Sequence, residues 1–531
     1  MMDLTIQQLM AAVAHSARQR DVVKARRELV MPFGAMDKAA TAVAGREWLG
    51  LAQLAQSLCD YSVAAVALDR AEARCGIEGD LEGGIAVAVG RGLLAGERGD
   101  VLEALGMHRE LLDAVRVRPL HSAGCHLNIG EMLRATGNHS GALAEFAFAR
   151  RAAPDDALAL RAAVELGDGL AQLEMGKYGP AEQALDAAAM LAEQSQDPVS
   201  IARVRVARAI AWLETARAAQ AISVLAEASS VLAEALHLRE AARADHNRGI
   251  ALLEERRFDE SVEALDSARS LFTDLGLKRD AAVTTLTMGR AALAGDDPNR
   301  ALTLLQAAAG DLDPGADPRA VAVCLINESE ALMSLGDDQR ARTRASEACE
   351  LLEDGADSRW LAIADLIHGR AQLQGSPSSH VRERILREWI AAILLIDSRR
   401  HEFASPAIRR QWQELAAHWR ERALALAFEL GEGTTVSALI ATFTNTGVYD
   451  PGHSRVAGDF TADSAPTAPG QSRQDDAQRT TREDFLPLLP PPPLVGPGET
   501  EVLRPEWNRV RARYGYSRPH DRSGVALPVQ G

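Results

Sequence analysis

The sequence predicts an all-α superhelical solenoid of paired helices with a disordered C-terminal tail. Three observations carry that prediction. A small residue recurs every 40 residues, further small and large residues keep helical spacing behind it, and the composition changes abruptly near residue 448.

The recurring positions are Gly50, Gly90, Gly130, Gly169, Ala209, Gly249, Gly289, Ser329 and Gly369, spaced by 40 residues with one interval of 39. Seven of these nine are Gly, whereas 41 Gly among 531 residues would place fewer than one there by chance. Gly inside a helix costs about 1 kcal/mol relative to Ala, so its recurrence within apolar helical patterns demands close approach of a neighbouring helix.

Twelve residues behind the small position stands a second small residue: Ala142, Ala181, Ala221, Ser261, Ala301 and Ala341. Four further on come Phe146, Leu185, Leu225, Leu265 and Leu305, with Ala345 the exception, and three beyond these come Ala149, Ala188, Ala228, Ala268, Ala308 and Ala348. Small, large and small at i, i+4 and i+7 form one face of a second helix. Gly137-Asn138, Gly176-Lys177, Asp296-Asp297-Pro298-Asn299 and Gly336-Asp337-Asp338 separate the two helices with turn residues.

Residues 123–154 resemble the tetratricopeptide pattern most fully, with Gly130, Leu133, Gly137, Ala142, Phe146, Ala149 and Pro154 at that family's spacing. The resemblance covers about 45–375. The period exceeds the family's usual length of about 34, as in kinesin light chain and related bacterial scaffolds, and helices a few residues longer explain it. A generic solenoid of the HEAT type lacks this spacing tied to an upstream Gly.

Four segments follow: 1–44 as N-terminal capping helices, 45–375 as the repeat array, 376–447 as C-terminal helices closing the solenoid, and 448–531 as the tail. Within the third, helices are expected over 380–398, over 406–430 with Ser405 as N-cap, Pro406 at the first position and Gly431 at the end, and over 434–444. The tail carries a Pro-rich run, LPLLPPPPLVGPG from Leu486 to Gly498, that favours polyproline II. It also carries a basic-aromatic stretch with Trp507, Arg509, Arg511, Arg513, Tyr514, Tyr516 and Arg518. Each is either a docking segment or a solvated extension.

Net charge of -16 opposes nucleic acid and anionic membranes as partners. No run reaches the roughly 18 apolar residues of a membrane span, and MMDLTIQQLMAAVAHSARQR lacks the basic start and apolar core of a secretion signal. Cys59, Cys75, Cys125, Cys324 and Cys349 are scattered and odd in number, which fits reduced thiols in a cytoplasm. Basic charge comes from Arg, with only Lys24, Lys38, Lys177 and Lys278, a composition that suggests a bacterial chain.

No nucleotide-binding glycine loop, zinc-protease motif or nucleophile elbow occurs, so no enzyme, cofactor or metal is expected. His121 and Cys125, at i and i+4, have the spacing of a metal pair but belong to a helix that the repeat already accounts for. Asn128, Asn247 and Asn327 each stand two residues before a marked small position. The tetratricopeptide resemblance implies that first helices line a concave surface and that Asn there hydrogen-bonds the backbone of an extended peptide, an amide offering donor and acceptor together. Arg91, Arg134, Arg290 and Arg370 would share that groove and receive carboxylates. The alternative is that the amides are solvated or bond a neighbouring helix.

Residues 399–450, with RRHEFASPAIRRQW followed by ALALAFELGEGTTVSALIATF, resemble the region joining tetratricopeptide arrays to CHAT-type cysteine peptidase domains of actinobacteria. Such peptidases place His and Cys after the array, whereas the last cysteine here, Cys349, lies within a repeat, so a complete peptidase is excluded. The expected function is a non-enzymatic scaffold or adaptor that holds a peptide or partner protein in the concave groove. The alternatives are a regulatory or sensor subunit of a bacterial signalling or CHAT-linked system, and the sensor array of a transcriptional regulator.

Overall fold

The computed structural model describes residues 5–39, 43–175, 177–215, 217–353, 358–398, 416–444, 448–449, 488–489 and 502–515. Among these are 23 helices, and one two-residue antiparallel pairing of Val448–Tyr449 with Leu488–Leu489. The chain divides into two compact units, Met1–Ala294 and Gly295–Gly531, the division falling inside the stretch that the repeat period treats as one array.

The first unit opens with α1 (Ile6–Arg18) and α2 (Val22–Lys38). Helix pairs follow: α3 (Gly45–Ser57) with α4 (Tyr61–Glu78), α5 (Leu81–Arg98) with α6 (Val101–Val115), and α7 (Pro119–Ala135) with α8 (His139–Ala152). Then come α9 (Leu158–Glu174) with α10 (Tyr178–Ser195), α11 (Pro198–Glu214) with α12 (Ala218–Glu234), α13 (Leu238–Glu254) with α14 (Phe258–Asp274), and α15 (Lys278–Ala294). The second unit holds α16 (Pro298–Asp311), α17 (Pro318–Ser334), α18 (Asp338–Glu353), α19 (Ser358–Leu373), α20 (Ser379–Ser398), α21 (Ala417–Glu429), α22 (Gly433–Thr444) and α23 (Arg504–Tyr514).

The turns follow the local chemistry. Between α7 and α8, Gly137 takes φ 78°, a left-handed conformation that ends the helix without a Cβ penalty, and the Asn138 side chain accepts from Gly141 N at 3.0 Å to cap the next. Asp297 and Asp337 cap α16 and α18 in the same way, accepting from Arg300 N at 3.0 Å and Arg340 N at 3.2 Å.

Close approach is the reason for the recurring Gly. A Cβ on Gly130 would lie 2.5 Å from Phe146 Cε1, on Gly169 2.8 Å from Leu185 Cγ, and on Gly249 2.5 Å from Leu265 Cδ2. Each large residue of the second helix therefore sits directly on the Gly sixteen residues before it. Where Ser replaces a small apolar residue, its hydroxyl crosses the pair: Ser261 donates to Gly249 O at 2.7 Å and Ser329 to Ala341 O at 2.8 Å. One register differs from the sequence reading. In α5–α6 the large residue is His108, whose Nε2 would lie 2.6 Å from a Cβ on Gly92, while a Cβ on Gly90 would instead meet Leu68 of α4 at 3.0 Å. His108 is fully buried, neither ring nitrogen has a partner among the described residues, and burial pushes its pKa down, so the ring fills space as a neutral group.

The first unit turns far enough for its beginning to meet its later helices. Val13, Ala17, Val22, Ala25 and Leu29 of α1–α2 share one apolar core with Leu232 of α12, Leu238 and Ala241 of α13, and Leu271 and Phe272 of α14. Arg26 donates to Leu58 O at the end of α3, and to Asp274 O and Leu275 O at the end of α14, each of the latter at 3.0 Å. One guanidinium thus satisfies the unpaired carbonyls of two helix termini. Arg20 donates to Asp245 at 2.6 Å and to Ser229 at 2.8 Å.

In the second unit, Trp389 of α20 packs on Gly369 of α19 and donates its indole N–H to Leu366 O at 3.1 Å. Gly431, with φ 75°, follows the end of α21, and the helix start expected at Ser405 and Pro406, like RRHEFASPAIRRQW, lies outside the described residues. One stretch of the expected disordered tail departs from that expectation. Residues 504–514 form α23, docked on α19 and α20 with Val510 and Tyr514 buried. The reason is partner chemistry, since Arg513 and Tyr514 both bond the buried Asp365. Apart from Leu488 and Leu489, the Pro-rich run lies outside the described residues.

Candidate ligand-binding cavity

A cavity of about 760 Å³ lies within the first unit, lined mainly by α7, α9, α11, α13 and α15. Ligand sites commonly enclose about 300–1,000 Å³. Its wall is a repeated stripe. Relative to the marked small residue, position -6 supplies Ala163, Arg203, Arg243 and Val283, and position -3 supplies Leu127, Leu166, Val206 and His246. Position +1 supplies Glu131, Leu170 and Ile210, and position +4 supplies Arg134 and Leu173. Spacings of three, four and three residues hold these side chains on one face of each first helix. The middle of the stripe, Leu166, Leu170, Val206 and Ile210, is apolar, and the polar groups stand to either side.

On α7, Arg134 is held by Glu131 at 2.7 Å and by Glu174 of α9. Across the cavity, Arg203 makes two 2.7 Å bonds to Glu240; burial opposes the charge on that carboxyl, yet the two bonds hold it below the usual carboxylate range. Asp280 is shared by Arg239 at 3.5 Å and Arg243 at 3.7 Å. Two guanidinium groups on one carboxylate leave this wall positive.

His246 Nδ1 lies 3.1 Å from Thr284 Oγ1, whose own proton goes to Asp280 O at 2.8 Å. Nδ1 is therefore the donor, and Nε2 is left as an acceptor. Burial first, then Arg290 and Arg243, push the His246 pKa down to about 4. Because the folded value lies below the unfolded one, the associated stability is fully present above about pH 6.5 and is lost as the pH falls toward about 4. Urea midpoints for the parent and His246→Gln, taken from pH 7 to 4.5, should converge as the pH falls; curves that stay parallel would show that His246 does not titrate this way.

The structure places Asn128, Asn247 and Arg134 on this cavity. The side-chain amides of Asn128 and Asn247 have no hydrogen-bond partner among the described residues, although both side chains are half-buried. The other candidates lie elsewhere. Asn327, in the second unit, donates its amide to Val323 O of its own helix at 2.7 Å, and Arg370 pairs with Glu330 at 3.3 Å. Arg290 is exposed on α15 and is not among the lining residues, and Arg91 pairs with Asp69 and Glu72 of α4. Sequence reasoning missed Arg203 and Arg243. Their shared position, six residues before a marked small residue, was the signal available.

His121 pairs with Glu82 at 2.9 Å while Cys125 is buried, and no three His, Cys, Asp or Glu side chains among the described residues gather as a metal site. No helix of the described residues is long and apolar enough to cross a membrane.

The fold is that of a tetratricopeptide-like α-solenoid. A Rap protein solved in complex with competence and sporulation factor is similar over 68% of this chain and 96% of its own, at 12% identity and TM-score 0.50. A tetratricopeptide repeat protein from Parabacteroides merdae is similar over 53% of this chain and 98% of its own, at 12% identity and TM-score 0.34. A signal-transduction ATPase with a tetratricopeptide repeat sensor from Pyrococcus horikoshii is similar over 63% and 51%, at 12% identity and TM-score 0.46. No family model and no curated protein matches the sequence. At these identities the likeness is one of helical-solenoid fold alone, and the resemblance to the region beside CHAT peptidase domains is not shown by it.

Proposed function

We propose that the chain is a non-enzymatic protein-interaction scaffold whose first unit holds an extended peptide segment in the cavity bounded by α7 and α13. The observation that carries this reading is the pair of amides, Asn128 and Asn247, that line the cavity without a partner. A half-buried amide gains most from a ligand offering both donor and acceptor, and a peptide bond offers both in fixed geometry. The apolar strip of Leu166, Leu170, Val206 and Ile210 suits one or two apolar side chains of the same segment, with Arg243 left to meet an acceptor. The Rap protein of similar fold was solved with competence and sporulation factor. That likeness is one of fold, and the reading rests on the cavity.

Peptides of about ten residues, selected from a randomised display library on the full chain, supply the probe. Asn128→Ala with Asn247→Ala removes two hydrogen bonds worth about 0.5–1.5 kcal/mol each, so calorimetry should record affinity lower by roughly 5- to 150-fold. Asn327→Ala, whose amide is already engaged, should leave it unchanged. Equal affinity for the parent and the double variant, with helicity intact, would remove the reading.

A further inference from the structure

α23 is joined to the second unit through the stretch 445–503 and lies on α19 and α20 by a small set of side chains. Glu506, 1% exposed, meets Arg387 of α20 at 3.2 Å. Two turns later Arg513 makes two 2.6 Å bonds to Asp365 of α19 and reaches Glu353 of α18 at 3.2 Å, and Tyr514 donates to Asp365 at 2.7 Å. Val510, fully buried, stands between these anchors. Anchors of opposite sign seven residues apart fix both the direction and the register of the docked helix.

The two sides are complementary in charge. α23 carries Arg504, Arg509, Arg511 and Arg513 against the single acid Glu506, and the surface beneath its C-terminal end offers Asp365, Glu353 and Glu388. The buried apolar side chains of this segment are few, Leu503, Val510 and Tyr514, with Trp507 partly buried beside them. α1–α2 of the first unit, by contrast, enter a continuous apolar core. Asp365 also repeats a position already used. It stands four residues before Gly369 as Asp245 stands four before Gly249, and Asp245 takes Arg20, which comes from the turn between α1 and α2, outside the repeats. The same place on a first helix serves twice as the receptor for an incoming Arg.

We propose that the face of α19–α20 around Asp365 is a second protein-binding surface, specific for a partner's basic helix with the spacing Glu-x-x-x-Val-x-x-Arg-Tyr, and that α23 occupies it in cis until such a helix displaces it. Charge complementarity, and a contact made chiefly through charged and polar anchors with few buried apolar side chains, argue for displacement over permanent docking. A tethered segment competes at an effective concentration on the order of 1 mM, so an intact α23 excludes weaker helices and admits only better ones.

The test uses the full chain and a fluorescein-labelled peptide spanning 502–515 (VLRPEWNRVRARYG). In the chain carrying Arg513→Ala and Tyr514→Phe, whose own helix is weakened while the receptor face is untouched, anisotropy should show binding at least tenfold tighter than in the unaltered chain. Adding Asp365→Asn to that chain should abolish the gain. Equal binding to the unaltered and weakened chains, or a gain that persists with Asp365→Asn, would overturn the proposal, circular dichroism confirming that each variant is folded. Hydrogen exchange on the unaltered chain adds a second reading: amides of 504–514 should lose protection on addition of excess peptide, and unmoved protection counts against displacement. Light scattering that finds dimers of the unaltered chain, lost in the Arg513→Ala variant, would assign the face to α23 of a second copy and overturn the partner reading.

Discussion

Replacing Phe146 by Ala is expected to lower the unfolding free energy by about 3–5 kcal/mol, the range for removing a fully buried aromatic side chain. The ring is 0% exposed and lies between two first helices. A Cβ at Gly130 of α7 would come within 2.5 Å of it, and one at Gly167 of α9 within 2.7 Å. Two sides of the resulting hole are glycine backbone, which cannot close it, while Leu127, Leu133 and Leu143 flank the rest, so how far these leucines shift sets where in the range the loss falls. Urea denaturation followed by circular dichroism reads it, and a loss under about 1 kcal/mol would mean that the α7–α8–α9 packing is not as described. Because each repeat contacts chiefly its neighbours, hydrogen exchange in the variant should rise most in these three helices.

Arg20→Ala is expected to cost roughly 2–4 kcal/mol, less than the full penalty for breaking a buried ion pair because Arg20 itself is about one-third exposed. Asp245 is 7% exposed in its side chain and would lose its guanidinium partner, and Ser229 would lose a donor. The distinguishing readout is local: amides of α1 and α2 should exchange faster while those of α7–α10 stay protected. Asp245→Asn with Arg20→Gln, a neutral pair of similar size, should recover part of the loss. Uniform exchange across the unit in Arg20→Ala would show that α1–α2 do not form a separable closure.

The pattern in the chain was enough to place most helices, because each rests on information within about forty residues. The Gly130–Phe146 contact is an example: sixteen residues separate a position that tolerates no Cβ from one that must be large, and both belong to one hairpin. The turn chemistry of Gly137 and Asn138 is equally local. In the α5–α6 pair the same reasoning chose Gly90 where packing against the second helix uses Gly92, two residues on and on another side of the helix, a choice that only the position of His108 reveals.

The candidate site was legible in part. Asn128 and Asn247 were found because they share a repeat position, and both line the cavity. Asn327 shares that position too, yet its amide turns back to Val323 O. A repeat position specifies where a side chain starts, while its partner depends on how neighbouring helices are stacked. Arg203 and Arg243 recur at a common position as well, but in a chain rich in Arg that recurrence carries little weight until a cavity wall gives it meaning.

What the sequence by itself determined is therefore the unit of construction: helix pairs of forty residues, their turns, and the small-on-large contacts inside each pair, all set by short-range sterics and burial. What only the tertiary structure decided is where distant parts meet. Arg20 reaches Asp245 and Arg513 reaches Asp365 across 225 and 148 residues. No local pattern encodes such meetings, because they depend on where the folded array brings distant surfaces together: α1–α2 against α12–α14, and residues 504–514, otherwise read as tail, against the acidic surface of α19–α20.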